Sequence, residues 1–384
     1  MINFDWDEPH LDLRNRIIAF AQTELNPGLT DRDEQHCFDL RGWRQCGKQG
    51  ILGLPVPQRY GGGGHDALTT AYALEGFGYG SRDNGLNFAI GAHLFGCTLP
   101  IMLFGRDGQQ ATYLPRLCDG TAIGALAVSE AEAGSDAFSL RTTAVRQGDH
   151  YLLNGHKLFV TNGAVADLIV VLATLDPTLG NHGLTAFLIE RGMAGVKSTP
   201  PVRKMGLHTA AMGEIILENC AVPAANLLGA EGSGMALFSH AMLWERGLIL
   251  AVAVGAMQRQ LETCVTYAQS RRQFGQPIGQ FQSVAGRLVD MRQRLEQARL
   301  LLYKMAWLLH KEELAFDMAA LTKLTISEAW IANCHDALAI HGGYGYLTAT
   351  GIERDLRDAL GSRFYSGTPE IQRQVVAQWM GVGG

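Results

Sequence analysis

Apolar positions recur with a helical period from residue 11 to about residue 120. Leu13, Ile17, Ile18 and Leu25 fall on one face, and residues 68–76 and 85–103 continue the pattern with aromatic fillers. Pro55-Val56-Pro57 and Tyr60-Gly61-Gly62-Gly63-Gly64 interrupt it. No lysine follows the four glycines and no strand-to-helix context surrounds them, so they read as a surface loop, not a phosphate cradle. Between residues 122 and 232 the texture changes to short β-type runs: 125–128, 151–153, 168–172, 184–189 and 214–217. Turns at Asn154-Gly155, Asn162-Gly163 and Asn181-His182-Gly183 divide them. That spacing predicts a small antiparallel barrel or sandwich. The helical period then returns and predicts four long helices over 235–270, 281–310, 317–341 and 364–380, a four-helix bundle. The expected architecture is a multidomain α+β chain: an all-α domain over 1–121, a β domain over 122–232 and a helical bundle over 233–384. There is no G-x-G-x-x-G, so a Rossmann nucleotide site is not supported.

Composition narrows the class. A chain of 384 residues fits two or three domains, and 47% hydrophobic against 18% charged residues allows a large core and argues against disorder. A formal net charge of −5 supplies no basic field, so no nucleic-acid partner is expected. The seven cysteines are scattered, odd in number and never form C-x-x-C, which speaks against a disulfide framework or a metal site and for a reducing cytoplasm. The stretch from Met1 to Pro9 has neither a basic nor an apolar region, so no signal peptide is expected. The longest apolar run, 247–257, is too short to span a bilayer, so no membrane association is expected.

Four segments carry candidate chemistry. Val128-Ser129-Glu130-Ala131-Glu132-Ala133-Gly134-Ser135-Asp136 leaves a β-run with small residues that let a flat ligand approach, and with two hydroxyls. An ordinary acidic turn would look the same. Arg271-Arg272-Gln273-Phe274-Gly275-Gln276-Pro277-Ile278, followed by Gln282, offers an arginine for a phosphate and an aromatic ring for a base. A basic helix end with a Gly/Pro turn is the plain alternative. His341-Gly342-Gly343-Tyr344 sets a glycine pair at the end of the third long helix. Trp244-Glu245-Arg246 places a carboxylate in an apolar helical run, which is costly unless the charge is paired or used.

Taken with Asn154-Gly155-His156-Lys157-Leu158-Phe159-Val160-Thr161-Asn162-Gly163 and Phe364-Tyr365-Ser366-Gly367-Thr368-Pro369-Glu370-Ile371-Gln372, these motifs resemble those of the acyl-CoA dehydrogenase family, in order and over essentially the whole chain. The resemblance implies FAD. Val128, Ser129, Gly134 and Ser135 would face the flavin, with Ser135 also beside the substrate. Phe159 would pack on the ring and Thr161 would hydrogen-bond near its reactive nitrogen. Arg271, Gln273, Phe274, Ile278 and Gln282 would bind the adenine and pyrophosphate end. Gly342, Gly343, Thr368 and Glu370 would complete the cofactor site, with the glycine turn and Arg271 expected from different subunits of a homotetramer. Three positions depart from the family pattern: Ala131 replaces a proline, Ala339 a glutamine and Glu370 a glutamine.

The largest departure is Ser366, where most members keep a catalytic glutamate. Serine has no acidity suited to removing an α-proton, so the base must lie elsewhere. A minority of the family, the isovaleryl- and long-chain-type enzymes, keeps it at the Glu245 position, and Glu370 is the rival carboxylate. On this reading Ser366→Ala is expected to be tolerated. Trp-Glu-Arg combined with Phe-x-Ser-Gly-Thr resembles the prolyl-carrier-protein dehydrogenases of pyrrole-forming pathways. That implies a prolyl thioester as substrate, with Trp244, Arg246, Phe364, Tyr365 and Ser366 lining its pocket. Trp244 and Phe364 could equally fill the bundle core. The alternatives are a short- or branched-chain acyl-CoA dehydrogenase and a catalytically silent scaffold. The electron acceptor is expected to be an electron-transfer flavoprotein or dioxygen.

Overall fold

The computed structural model describes residues 5–383, so Met1 to Phe4 of the expected leaderless N-terminus lie outside it. Seven helices come first: α1 (Glu8–Glu24), α2 (Leu29–Glu34), α3 (Leu40–Lys48), α4 (Ala67–Gly80), α5 (Asn84–His93), α6 (Leu99–Phe104) and α7 (Asp107–Cys118). Aspartates at the N-caps of α1, α3, α4 and α5 accept from first-turn N–H groups, which explains where those helices begin. The four-glycine run folds back on residues 53–56: Gly63 N donates to Gly53 O and Gly64 N to Val56 O. A side chain on Gly62 would collide with the Val56 carbonyl. Gly62 and Gly63 serve close packing, whereas Gly61 and Gly64 supply positive φ of 83° and 66°.

Ten strands follow: β1 (Gly124–Ala127), β2 (Thr143–Gln147), β3 (His150–Val160), β4 (Leu168–Thr174), β5 (Leu184–Glu190), β6 (Val196–Ser198), β7 (Gly213–Pro223), β8 (Leu227–Leu228) and a small hairpin, β9 (Arg272–Gln273) with β10 (Gln276–Pro277). The first eight form one sheet ordered β6-β7-β3-β2-β4-β5-β8, with β1 added beside β4. It is antiparallel except where β1 and β2 meet β4. Every residue of β4 is buried, because its alternating side chains enter two cores. Leu168, Val170 and Leu172 join α6 and α7, whereas Ile169, Val171 and Ala173 join the inner residues of β3, β5 and β7.

The last third contains α8 (Gly234–Leu248), α9 (Ala251–Ser270), α10 (Gln282–His310), α11 (Phe316–His341), α12 (Ile352–Gly361) and α13 (Pro369–Trp379). Three details differ from the sequence pattern. The helix expected over 235–270 breaks at Ile249-Leu250. The final helix begins at residue 369, not 364, because Ser366 and Gly367 are left-handed and Pro369 can only start a helix. α12 was not expected, because its charged sequence hides a narrow apolar stripe. The helical core also crosses the expected boundary at 233: one cluster holds Ile17, Phe77, Leu248, Val254, Leu302 and Trp330. At the α4–α9 crossing, a side chain on Gly78 would meet Val252 O and one on Gly255 would meet Glu75 O. The two backbones touch there.

Residues 84–104 and 234–270 are long and apolar enough by composition to cross a bilayer, which the run 247–257 alone did not suggest. Their apolar windows are 83% and 67% buried against the rest of the chain, so packing accounts for their hydropathy.

Candidate active site

Glu245 lies in the last turn of α8, buried at 9% exposure. Its Oε1 accepts a hydrogen bond from Ser366 Oγ at 2.5 Å, 121 residues away in sequence. Burial pushes the Glu245 carboxyl up, while the Ser366 hydroxyl and the positive charges of Arg246 and Lys323 pull it partway back. Among the described residues Oε2 accepts no hydrogen bond. A buried carboxylate with one oxygen held by a hydroxyl and the other free of hydrogen bonds has the chemistry that a general base requires. Arg246 makes no ion pair with Glu245; its Nε donates to Ser366 O at 3.1 Å.

The 363–368 segment is built around this contact. Ser366 has φ of 56° and Gly367 of 94°. A left-handed non-glycine residue costs about 1–2 kcal/mol, so the surrounding bonds must hold it there. Gln372 Nε2 donates to both Ser366 O and Gly367 O at 2.9 Å, and Lys323 Nζ donates to Gly367 O at 2.6 Å. Tyr365 stacks on Phe88 of α5 with centroids 4.1 Å apart. Among the described residues the Ser366 hydroxyl is the side-chain hydrogen-bond partner of Glu245, in addition to its expected place in the pocket wall. Phe364 is 70% exposed and so does not fill the bundle core, whereas Trp244 is half-buried against that core. Glu370 sits exposed on the first turn of α13. Its own backbone N–H and the Thr368 hydroxyl hold its carboxyl below the usual range, which disfavours it as a base. Thr368 is the N-cap of α13, accepting from Ile371 N.

A second surface gathers Val128, Ser129, Gly134, Ser135, Phe159 and Thr161. Leu158 N donates to Ser129 O at 2.8 Å, tying β3 to the loop after β1. Lys157 is fully buried beneath them; its Nζ donates to Val128 O at 3.0 Å and pairs with Glu130 Oε1 at 2.6 Å. Burial pushes the Lys157 ammonium down to about 8, and Glu130 opposes that. Glu130 also accepts from Arg141 N, Thr142 N and Thr142 Oγ1, so one carboxylate organises the whole loop. Phe159, left-handed at φ 54°, projects 69% exposed above this floor, and Gly134 and Ser135 are open.

A third surface carries Arg271, Gln273, Phe274, Ile278 and Gln282 with the Gly342–Gly343 turn. Phe274 is left-handed at φ 50° and 93% exposed. The Arg271 guanidinium lies 5.4 Å over the Tyr344 ring of the same chain. This corrects one expectation: the arginine hairpin and the glycine turn form one surface of one chain. Among the described residues, no hydrogen bond, ion pair or ring contact joins it to the 128–161 surface.

Among the described residues eight non-glycines have positive φ, and three of them are Phe159, Phe274 and Ser366. Strained backbone that presents bare aromatic rings, glycines open above their Cα and an exposed arginine fits a flat ring system with a pyrophosphate. FAD fits the residues present. Sequence reasoning missed Lys157, Glu130, Lys323 and Gln372 as structural members of the site. The signal for both lysines was available: each is a charge inside an apolar stretch, the same feature that singled out Glu245.

Family models match the chain throughout: an acyl-CoA dehydrogenase N-terminal domain over residues 7–121, a middle domain over 125–220 and a C-terminal domain over 232–381. An L-prolyl-[peptidyl-carrier protein] dehydrogenase of Pseudomonas fluorescens is 42% identical over 378 residues, covering 98% of this chain and 99% of that protein. The crystal structure of AnaB, a prolyl acyl carrier protein oxidase, superposes with a TM-score of 0.97 at 50% identity, covering 98% of this chain and 100% of AnaB. PigA, solved with FAD and proline, superposes with a TM-score of 0.97 at 36% identity over the full length of both chains.

Proposed function

The chain belongs to the acyl-CoA dehydrogenase family, and from that premise we propose that it oxidises an L-prolyl thioester carried on a peptidyl-carrier protein. The observation that carries this reading is the Glu245 carboxylate held by Ser366, a base supplied from α8 where the usual glutamate position holds a hydroxyl. Glu245 Oε2 takes the proton from the thioester α-carbon, and burial keeps water from competing for it. The 128–135 and 159–161 surface would hold FAD, which when bound would supply the two-electron acceptor for the β-hydrogen. The Arg246 charge favours the Glu245 carboxylate while its Nε keeps the Ser366 carbonyl in place. Each turnover removes two hydrogens, so reaching a pyrrolyl thioester takes two successive oxidations. Relatives named both dehydrogenase and oxidase leave an electron-transfer flavoprotein and dioxygen as the onward acceptors.

The 128–161 and 271–346 surfaces are each half a cofactor site, which supports a homo-oligomer, a tetramer in our reading, whose FAD lies between chains. Sedimentation of the FAD-loaded protein as a monomer overturns it. Seven unpaired cysteines, six of them buried, support a reducing cytoplasmic setting.

Anaerobic mixing tests the substrate. Flavin bleaching by the L-prolyl carrier thioester, with isovaleryl-CoA far slower, supports the proposal. Faster bleaching by isovaleryl-CoA turns it to a branched-chain acyl-CoA dehydrogenase, and no bleaching by either favours a silent scaffold.

A further inference from the structure

Lys323 is fully buried in α11, yet no carboxylate lies within ion-pair distance of it among the described residues. Its hydrogen bonds go to main-chain carbonyls: Gly367 O at 2.6 Å and Arg363 O at 3.4 Å. A lysine without a carboxylate partner is costly to bury, and these bonds fall on the segment that brings Ser366 to Glu245. Three donors converge there. Arg246 Nε and Gln372 Nε2 bind the Ser366 carbonyl, and Gln372 Nε2 and Lys323 Nζ bind the Gly367 carbonyl. Together they fix two successive peptides in the left-handed conformation that aims Ser366 Oγ at Glu245 Oε1.

We infer that Lys323 is a positioning residue for the base: it clamps the Ser366–Gly367 peptides so that the Ser366 hydroxyl occupies Oε1 and Oε2 is left to take the α-proton. The inference rests on Glu245 being the base. Electrostatics point the same way. The charged and titratable groups around Lys323 are Glu245 and Arg246 from α8, and Arg363, Tyr365 and Glu370 from the 361–370 segment. Burial, with Arg246 and Arg363, pushes the ammonium down to about 7, while Glu245 and Glu370 resist. In its charged form it favours the Glu245 carboxylate. Removing the cation raises the Glu245 carboxyl further, so less of the base is ionised at neutral pH.

The test is the rate of anaerobic flavin reduction by prolyl thioester, measured against pH in FAD-loaded wild type, K323M, S366A and the double variant. K323M is expected to keep FAD, to slow reduction roughly ten- to a hundredfold and to move the acid limb to higher pH. S366A is expected to show part of the same change. The double variant is expected to lose clearly less than the product of the two single losses, since the clamp of Lys323 acts through Ser366. Additive losses, or a K323M enzyme that is less stable with a wild-type rate and profile, overturn the inference. Should K323M fail to retain FAD, S366A decides it, and a wild-type rate with an unshifted acid limb is the refuting result. E245Q separates the two readings. Bleaching in E245Q removes the base assignment itself, whereas a silent E245Q beside wild-type behaviour in K323M and S366A refutes only the clamp.

Discussion

Glu245→Gln replaces one carboxylate oxygen by an amide nitrogen of nearly the same size. The amide oxygen can still accept from Ser366 Oγ, and the bonds of Arg246, Gln372 and Lys323 all end on main-chain carbonyls, so the 363–368 segment should stay in place. What disappears is the proton acceptor. A positioned general base is worth about 10²–10⁴-fold, so flavin reduction should fall by at least two orders of magnitude while FAD binding persists. Stability should move the other way. Burial raises the Glu245 carboxyl, so the folded state binds that proton more tightly than the unfolded state does. As pH climbs from the unfolded value of 4.5 through the raised one, ionisation costs the native state stability that glutamine does not lose. The variant should therefore unfold at the wild-type temperature or higher at neutral pH, and the advantage should vanish in acid. Anaerobic stopped-flow absorbance with prolyl thioester gives the rate, and thermal denaturation against pH gives the stability. Bleaching within a few-fold of wild type, with FAD saturated, would refute the assignment of Glu245. A large drop in melting temperature would refute the claim that the site tolerates loss of the charge.

Three more outcomes follow from the geometry. Arg271→Ala should weaken FAD binding about ten- to a hundredfold through loss of a charge-assisted phosphate contact, with chemistry in flavin-saturated enzyme little changed; equal affinity by equilibrium dialysis removes Arg271 from the site. Lys157→Met should destabilise the protein by about 3–5 kcal/mol, because it strands Glu130 beneath the flavin loop, and Lys157→Met/Glu130→Gln should recover part of that in chemical denaturation. Asp358 accepts from Leu207 N and Asn84 Nδ2, and burial pushes its carboxyl up to about 7. Its folded form holds the proton more tightly, so its share of stability should fall as pH rises from about 4 to about 7; Asp358→Asn should flatten the melting-temperature profile over that window, and an unchanged slope refutes it.

The element types were written in the local pattern. The helical period of the first hundred residues, the short β-type runs of β3 to β5 and the return of the helical period after residue 234 need only side-chain spacing and residue type. The carboxylate at Glu245 and the serine at 366 were likewise legible as single residues out of place in their surroundings. Tertiary structure decided what they do to each other. That Ser366 donates to Glu245 depends on an αL turn held by groups from α8, α11 and α13, and no local signal encodes a bond across 121 residues. The same holds for Lys157 and Lys323, whose burial is meaningful only through the carboxylate or carbonyls brought to them from distant segments. Propensity favours helix weakly, and contacts worth a few kcal/mol override it wherever a loop must be held in one shape.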